Sequence, residues 1–105
     1  MDTVTLDQKR SFGEALTKVP LFDSERMLFD LYCLQPGQSQ RAHSHADADK
    51  VYVVLEGEAL FQVGDEHELL PEGTAVIARA GQAHGVRNES NSNVVLLVTM
   101  APRPA

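Results

Sequence analysis

A chain of 105 residues is long enough for one compact domain with its own core and too short for two. Hydrophobic residues make up 43% and charged residues 23%, which argues against a disordered chain. The net charge of −6 argues against a nucleic-acid partner, whose backbone needs a clustered basic face.

The one cysteine, Cys33, allows no intrachain disulfide and no cysteine-based zinc finger. The start, MDTVTLDQKR, lacks the basic region and apolar run of a secretory leader. The longest apolar run, VVLLVTMA, is too short to span a membrane. A soluble, cytoplasmic protein with no membrane or nucleic-acid partner is the expectation.

In chain order, residues 6–19 (LDQKRSFGEALTKV) have the spacing of a short amphipathic helix that Pro20 would stop. From Arg26 onward the pattern changes to short segments rich in Val, Leu, Phe and Tyr, separated by Gly, Pro, Asn and Asp. Eight strands are predicted: RMLFDLYCL, SQRAH, KVYVVLE, EALFQV, HELL, TAVIA, AHGVR and NVVLLVTM. Pro36-Gly37, Gly64-Asp65-Glu66, Pro71-Glu72-Gly73 and the polar stretch Asn88 to Asn93 supply turns between them. This is an all-β domain, either an antiparallel sandwich or a small barrel. In the first strand Met27, Phe29, Leu31 and Cys33 form an apolar face, the better core candidate, and Asp30 and Tyr32 share the other.

Histidine occurs at positions 43, 45, 67 and 84. His43 and His45 are two apart, so on a strand both face one side, with Cα atoms roughly 6.6 Å apart. Two imidazoles at that separation can converge on one ion at about 2.0–2.1 Å. His84, from another strand, is placed to be a third ligand, leaving positions open for water or a substrate.

The segment PGQSQRAHSHADADKVYVVLEG resembles the first motif of the cupin family. That motif is a glycine, five residues, a His-x-His pair, a short spacer, a glutamate, six residues and a second glycine. Gly37, His43, His45 and Gly57 match, and Lys50 stands at the glutamate position. GTAVIARAGQAHGVRN resembles the second motif, with Gly73, Gly81, His84 and Asn88 matching and Arg79 replacing a proline.

The resemblance runs from about Leu28 to Thr99. It implies a single cupin domain over residues 1–105, with motifs at 37–57 and 73–88. The implied fold is a double-stranded β-helix, or jelly-roll barrel, here preceded by a short helical or irregular N-terminal segment. It also implies metal ligation by His43, His45 and His84, and pairing as a homodimer. VYVVL and VVLLV, apolar on both faces, favour such pairing independently.

Lys50 departs from the family, because an ammonium has no lone pair and an ordinary pKa of about 10.4. In one reading three histidines hold one divalent transition metal (Zn, Ni, Fe, Mn or Cu) and Lys50 turns aside to Asp47, Asp49 or a bound anion. In the other, the metal is lost and Lys50 supplies a fixed charge for a carboxylate or phosphate. Tyr52, in phase with Lys50, and Arg87, near His84, are further ligand-binding candidates. A core tyrosine and an exposed, acid-paired arginine are the alternatives to those roles. His67 is expected to be a solvated surface residue, and Cys33 a packing residue.

The functional expectation is a small metal-dependent enzyme of oxygenase or isomerase type, acting on a small molecule in the barrel, an anionic one if Lys50 meets it. The alternative is a non-catalytic, metal-free binding or sensing protein that uses Lys50 as its pocket charge.

Overall fold

The structure, a computed structural model, describes residues 1–104. Among the described residues nine strands form: β1 (Thr17–Asp23), β2 (Leu28–Leu34), β3 (Ser39–His43), β4 (Asp49–Glu56), β5 (Glu58–Val63), β6 (Glu66–Pro71), β7 (Ala75–Ala78), β8 (His84–Arg87) and β9 (Val94–Ala101). They make two antiparallel sheets, one ordered β1-β2-β9-β4-β7 and the other β3-β8-β5-β6. The all-β, cupin-like double-stranded β-helix is therefore the observed architecture. No helix among the described residues is long and apolar enough to cross a membrane.

The helix expected over residues 6–19 does not form. A single 3-10 turn spans Leu6–Lys9, and the residues from Thr17 enter β1. Pro20 lies inside that strand rather than ending a helix. An edge strand tolerates it, because no second neighbour needs the missing N–H. Burial overrides the helical spacing here: Val4, Leu6 and Phe12 pack against Leu21, Leu31, Cys33 and Val95 on the outer face of the larger sheet.

Both faces of β2 are therefore covered. Its apolar side, with Leu31 and Cys33 at 0% exposure, packs under the N-terminal segment, and Cys33 is a packing residue. Its other side, with Tyr32 and Leu34, faces the barrel interior beside Tyr52, Val54, Phe61 and Leu96. The face with Asp30 and Tyr32, expected to be the lesser core candidate, is the one that reaches the cavity.

Two features close the barrel. Gly57 has φ 80°, and a Cβ there would lie 2.7 Å from the Asn93 carbonyl, so only glycine lets the β4–β5 turn approach the start of β9. Asn88, fully buried at the far end of β8 from His84, donates from Nδ2 to the carbonyls of Leu34 and Ser92. Its Oδ1 accepts from the Ser90 N–H and hydroxyl.

Candidate metal centre

His43, the last residue of β3, pairs across the ladder with His84, the first residue of β8. His45 lies beyond the end of β3, in the loop. Strand alternation therefore does not align the two motif histidines as expected; the loop does. The Gly81 N–H donates to the His45 carbonyl at 2.8 Å and ties that loop to the turn before β8. The ring centroids lie 5.0 Å (His43–His45), 4.3 Å (His43–His84) and 5.6 Å (His45–His84) apart. One nitrogen from each ring lies within 4.8 Å of the others.

Two of the rings have defined tautomers. His43 Nδ1 lies 2.8 Å from the Arg41 carbonyl and His84 Nδ1 lies 3.0 Å from the Gln82 carbonyl. A carbonyl can only accept, so each Nδ1 carries a hydrogen, and Nε2 is the ring nitrogen left to offer a lone pair when the ring is neutral. His84 Nε2 is buried and has no hydrogen-bond partner. Leaving such an atom unmatched costs about 1–3 kcal/mol, and a bound cation would satisfy it. Burial pushes His84 down to about 4, against the hydrogen bond to Gln82, with His43, Lys50 and His45 adding to the fall. Burial, then His43, Lys50 and Lys18, also lowers His45. Such rings are neutral at physiological pH, the form that ligates a metal. The donor set fits a divalent transition ion.

Facing them, Lys50 is 1% exposed. Its Nζ donates to Tyr32 Oη at 3.2 Å and to Gln40 Oε1 at 3.3 Å, and Tyr52 Oη donates to the same Gln40 oxygen at 3.0 Å. Nζ also stands 5.1 Å and 4.9 Å from the ring centroids of Tyr32 and Tyr52. These contacts do not replace water in full. Burial pushes the amine down to about 8, Lys18 adds to the fall, and Asp30 opposes it. The expected turn of Lys50 toward Asp47 or Asp49 is not seen. Asp49 instead accepts from the Ala80 N–H at 2.8 Å, and Lys50 points inward because its strand phase places it with Tyr52 and Val54.

A cavity of about 550 Å³ opens over this corner, its walls including His43, His45, Lys50, Lys18, Asp30 and Arg41. Burial raises the Asp30 carboxyl, against the pull of Lys18, Arg103 and Lys50. Tyr52, at 0% exposure, supports the site from beneath, its ring centroid 6.3 Å from that of His84. Arg87 is not brought to the histidines. It is out of phase with His84 and lines a separate outer hollow with Ser39, Gln62, His67 and Glu89. His67 is exposed there, as its charged surroundings suggest.

Gln40, which links Lys50 to Tyr52, is not apparent from the sequence. It lies three positions before His43, which alternation reads as opposite faces, but the register shifts between the two and a bulge restores them to one side.

The family model for the cupin domain matches residues 30–100. The crystal structure of TT1209 from Thermus thermophilus is similar over 99% of this chain and 100% of its own, at 51% identity and a TM-score of 0.97. A protein from Klebsiella pneumoniae with a double-stranded β-helix domain is 22% identical, over 95% of this chain and 89% of its own, with a TM-score of 0.87. A predicted oxalate decarboxylase from Thermotoga maritima is also 22% identical, over 83% and 80% of the two chains, with a TM-score of 0.80. The last two share the fold alone. No curated protein matches the chain in sequence.

Proposed function

The chain belongs to the cupin family, and on that footing we propose that His43, His45 and His84 hold one divalent transition metal at the mouth of the barrel, where a small anionic molecule binds. When bound, such an ion supplies a Lewis-acid site or a place to activate oxygen, which suits an oxygenase or isomerase type of reaction. The protein's own residues bind and orient. Lys50, Lys18 and Arg41 place positive charge on the cavity wall, and Asp30 breaks it with a carboxyl group. The Gln40 bridge between Lys50 and Tyr52 holds the amine in place.

The observation that carries this reading is the buried, unpartnered Nε2 of His84 among three converging imidazoles. Metal content of untagged protein purified without chelator tests it. About one transition-metal ion per chain is expected, with His43→Ala losing it. Empty protein that resists reloading overturns it.

A second reading is favoured by Lys50 itself, whose Nζ hydrogen-bonds to two neutral oxygens rather than to a carboxylate. In it the protein binds or senses a small anion without metal or catalysis. Thermal stabilisation by small carboxylates in metal-free protein supports it, and stabilisation by transition ions alone counts against it. Homodimer formation belongs to the proposal, since Val51, Val53 and Leu97 lie half-buried on the outer face of the larger sheet. A sedimentation velocity run giving a monomer at high concentration removes it. A cytoplasmic location belongs to the same proposal, suggested by the single cysteine, and cell fractionation tests it.

A further inference from the structure

We propose that Lys50 is a nucleophile as well as a charge, and that its amine forms a reversible imine with a small carbonyl compound entering the barrel mouth. This goes beyond the metal reading and does not depend on it. Of the three lysines, Lys9 and Lys18 are exposed, and Lys50 alone is stripped of water while lining the cavity.

The partners of its nitrogen are a phenol oxygen and an amide oxygen, not a carboxylate. A carboxylate would lock the ammonium form. Two neutral acceptors are satisfied equally by the two N–H bonds of a free amine, so the proton can leave without breaking the site. Tyr52 holds the Gln40 amide and thereby the amine. Lys18 Nζ stands 5.4 Å from the centroid of the Tyr32 ring that Lys50 also faces. Burial activates the lysine as a nucleophile, and a second cation beside it adds to the same effect. The other groups facing it are Asp30 and Tyr32 from β2, Tyr52 from β4, His45 from the loop, and Arg103 near Asp30.

Asp30, on the same wall and electrostatically coupled to Lys50, is the group placed to carry the proton. It takes one from the ammonium, and the freed nitrogen adds to the carbonyl carbon as a nitrogen proton passes to the oxygen. Asp30 then returns its proton to that hydroxyl, which leaves as water. Ammonium and carbonyl become iminium and water, with no oxidant or reductant. Lys18 and Arg41 favour a carbonyl compound that also bears a carboxylate, and the tight approach to Lys50 favours a small one.

The test is reductive trapping on chelator-treated protein, so that it is independent of metal loading. Glyoxylate and cyanoborohydride are added at about pH 7.5, followed by peptide mapping of Lys9, Lys18, Lys50 and the amino terminus. A carboxymethyl group on Lys50, at more than about tenfold excess over Lys18, is expected, since burial brings the Lys50 amine from 10.5 down to about 8 and each unit gives about tenfold more free amine. Lys50→Arg should abolish that label. Labelling that follows exposure, with Lys9 and Lys18 ahead of Lys50, overturns the proposal. Asp30→Asn should slow Lys50 labelling even though removing the nearby negative charge leaves more free amine. An unchanged or faster rate overturns the role of Asp30.

Discussion

The two sheets furnish the barrel mouth with different chemistry, held in different ways. The smaller sheet and its loop bring three imidazoles, and two of them are oriented by carbonyls only two residues away in sequence. The larger sheet brings Lys18, Asp30, Tyr32, Lys50 and Tyr52, whose network spans strands distant in sequence and reaches across to Gln40 of β3. A locally held ring keeps its aim whatever the opposite wall does. A long-range network shifts as a unit, so substitutions on the two walls should separate metal affinity from stability.

The largest separation is expected for metal affinity. His84→Ala should weaken binding of Ni or Zn by more than about a hundredfold in calorimetric titration, because even supporting residues behind a ligand are worth about 10–100-fold. Lys50→Met should leave that affinity unchanged or tighten it, since a neighbouring positive charge is removed. A greater loss in Lys50→Met than in His84→Ala would break the comparison.

Stability should respond in the reverse order. Lys50→Met replaces a buried, unpaired charge with a similar volume and should raise the unfolding free energy in urea by about 2 kcal/mol at neutral pH. The same group sets a pH dependence. Its folded pKa, about 8, lies below the ordinary 10.5, so within that window the unfolded chain binds the proton that the native protein releases. Wild-type stability should therefore rise as pH increases from about 8. Tyr32 acts oppositely: burial raises its phenol to about 12 from 10.0, so stability falls above the lower value. Urea melts between about pH 8 and 10 should show the rise in wild type and a flatter profile in Lys50→Met.

The smallest effect is expected for Tyr52→Phe, which removes only the hydroxyl bonded to Gln40. It should cost about 1 kcal/mol by thermal or urea melt and leave metal affinity intact. A loss of metal affinity in this variant would show that the two walls are not separable.

Much of this architecture is legible in residue order. The β-rich alternation after Arg26, the turn residues and the spacing of His43, His45 and His84 predict eight of the strands and the metal candidates, because period and turn chemistry are local. The departure at Lys50 is equally visible. β1 is not, since a segment with helical spacing and a proline becomes a strand only when the edge of β2 accepts it and Val4, Leu6 and Phe12 find the outer face. The bulge that turns Gln40 toward Lys50 leaves no mark in an alternation pattern, and neither does the inward placement of Asp30 and Tyr32. By itself the sequence determined which side chains were available and the local geometry that presents them, through short-range backbone preference and hydrophobic period. Only the tertiary structure decided which of them share a cavity and lose their water, because burial and long-range pairing depend on how the two sheets close.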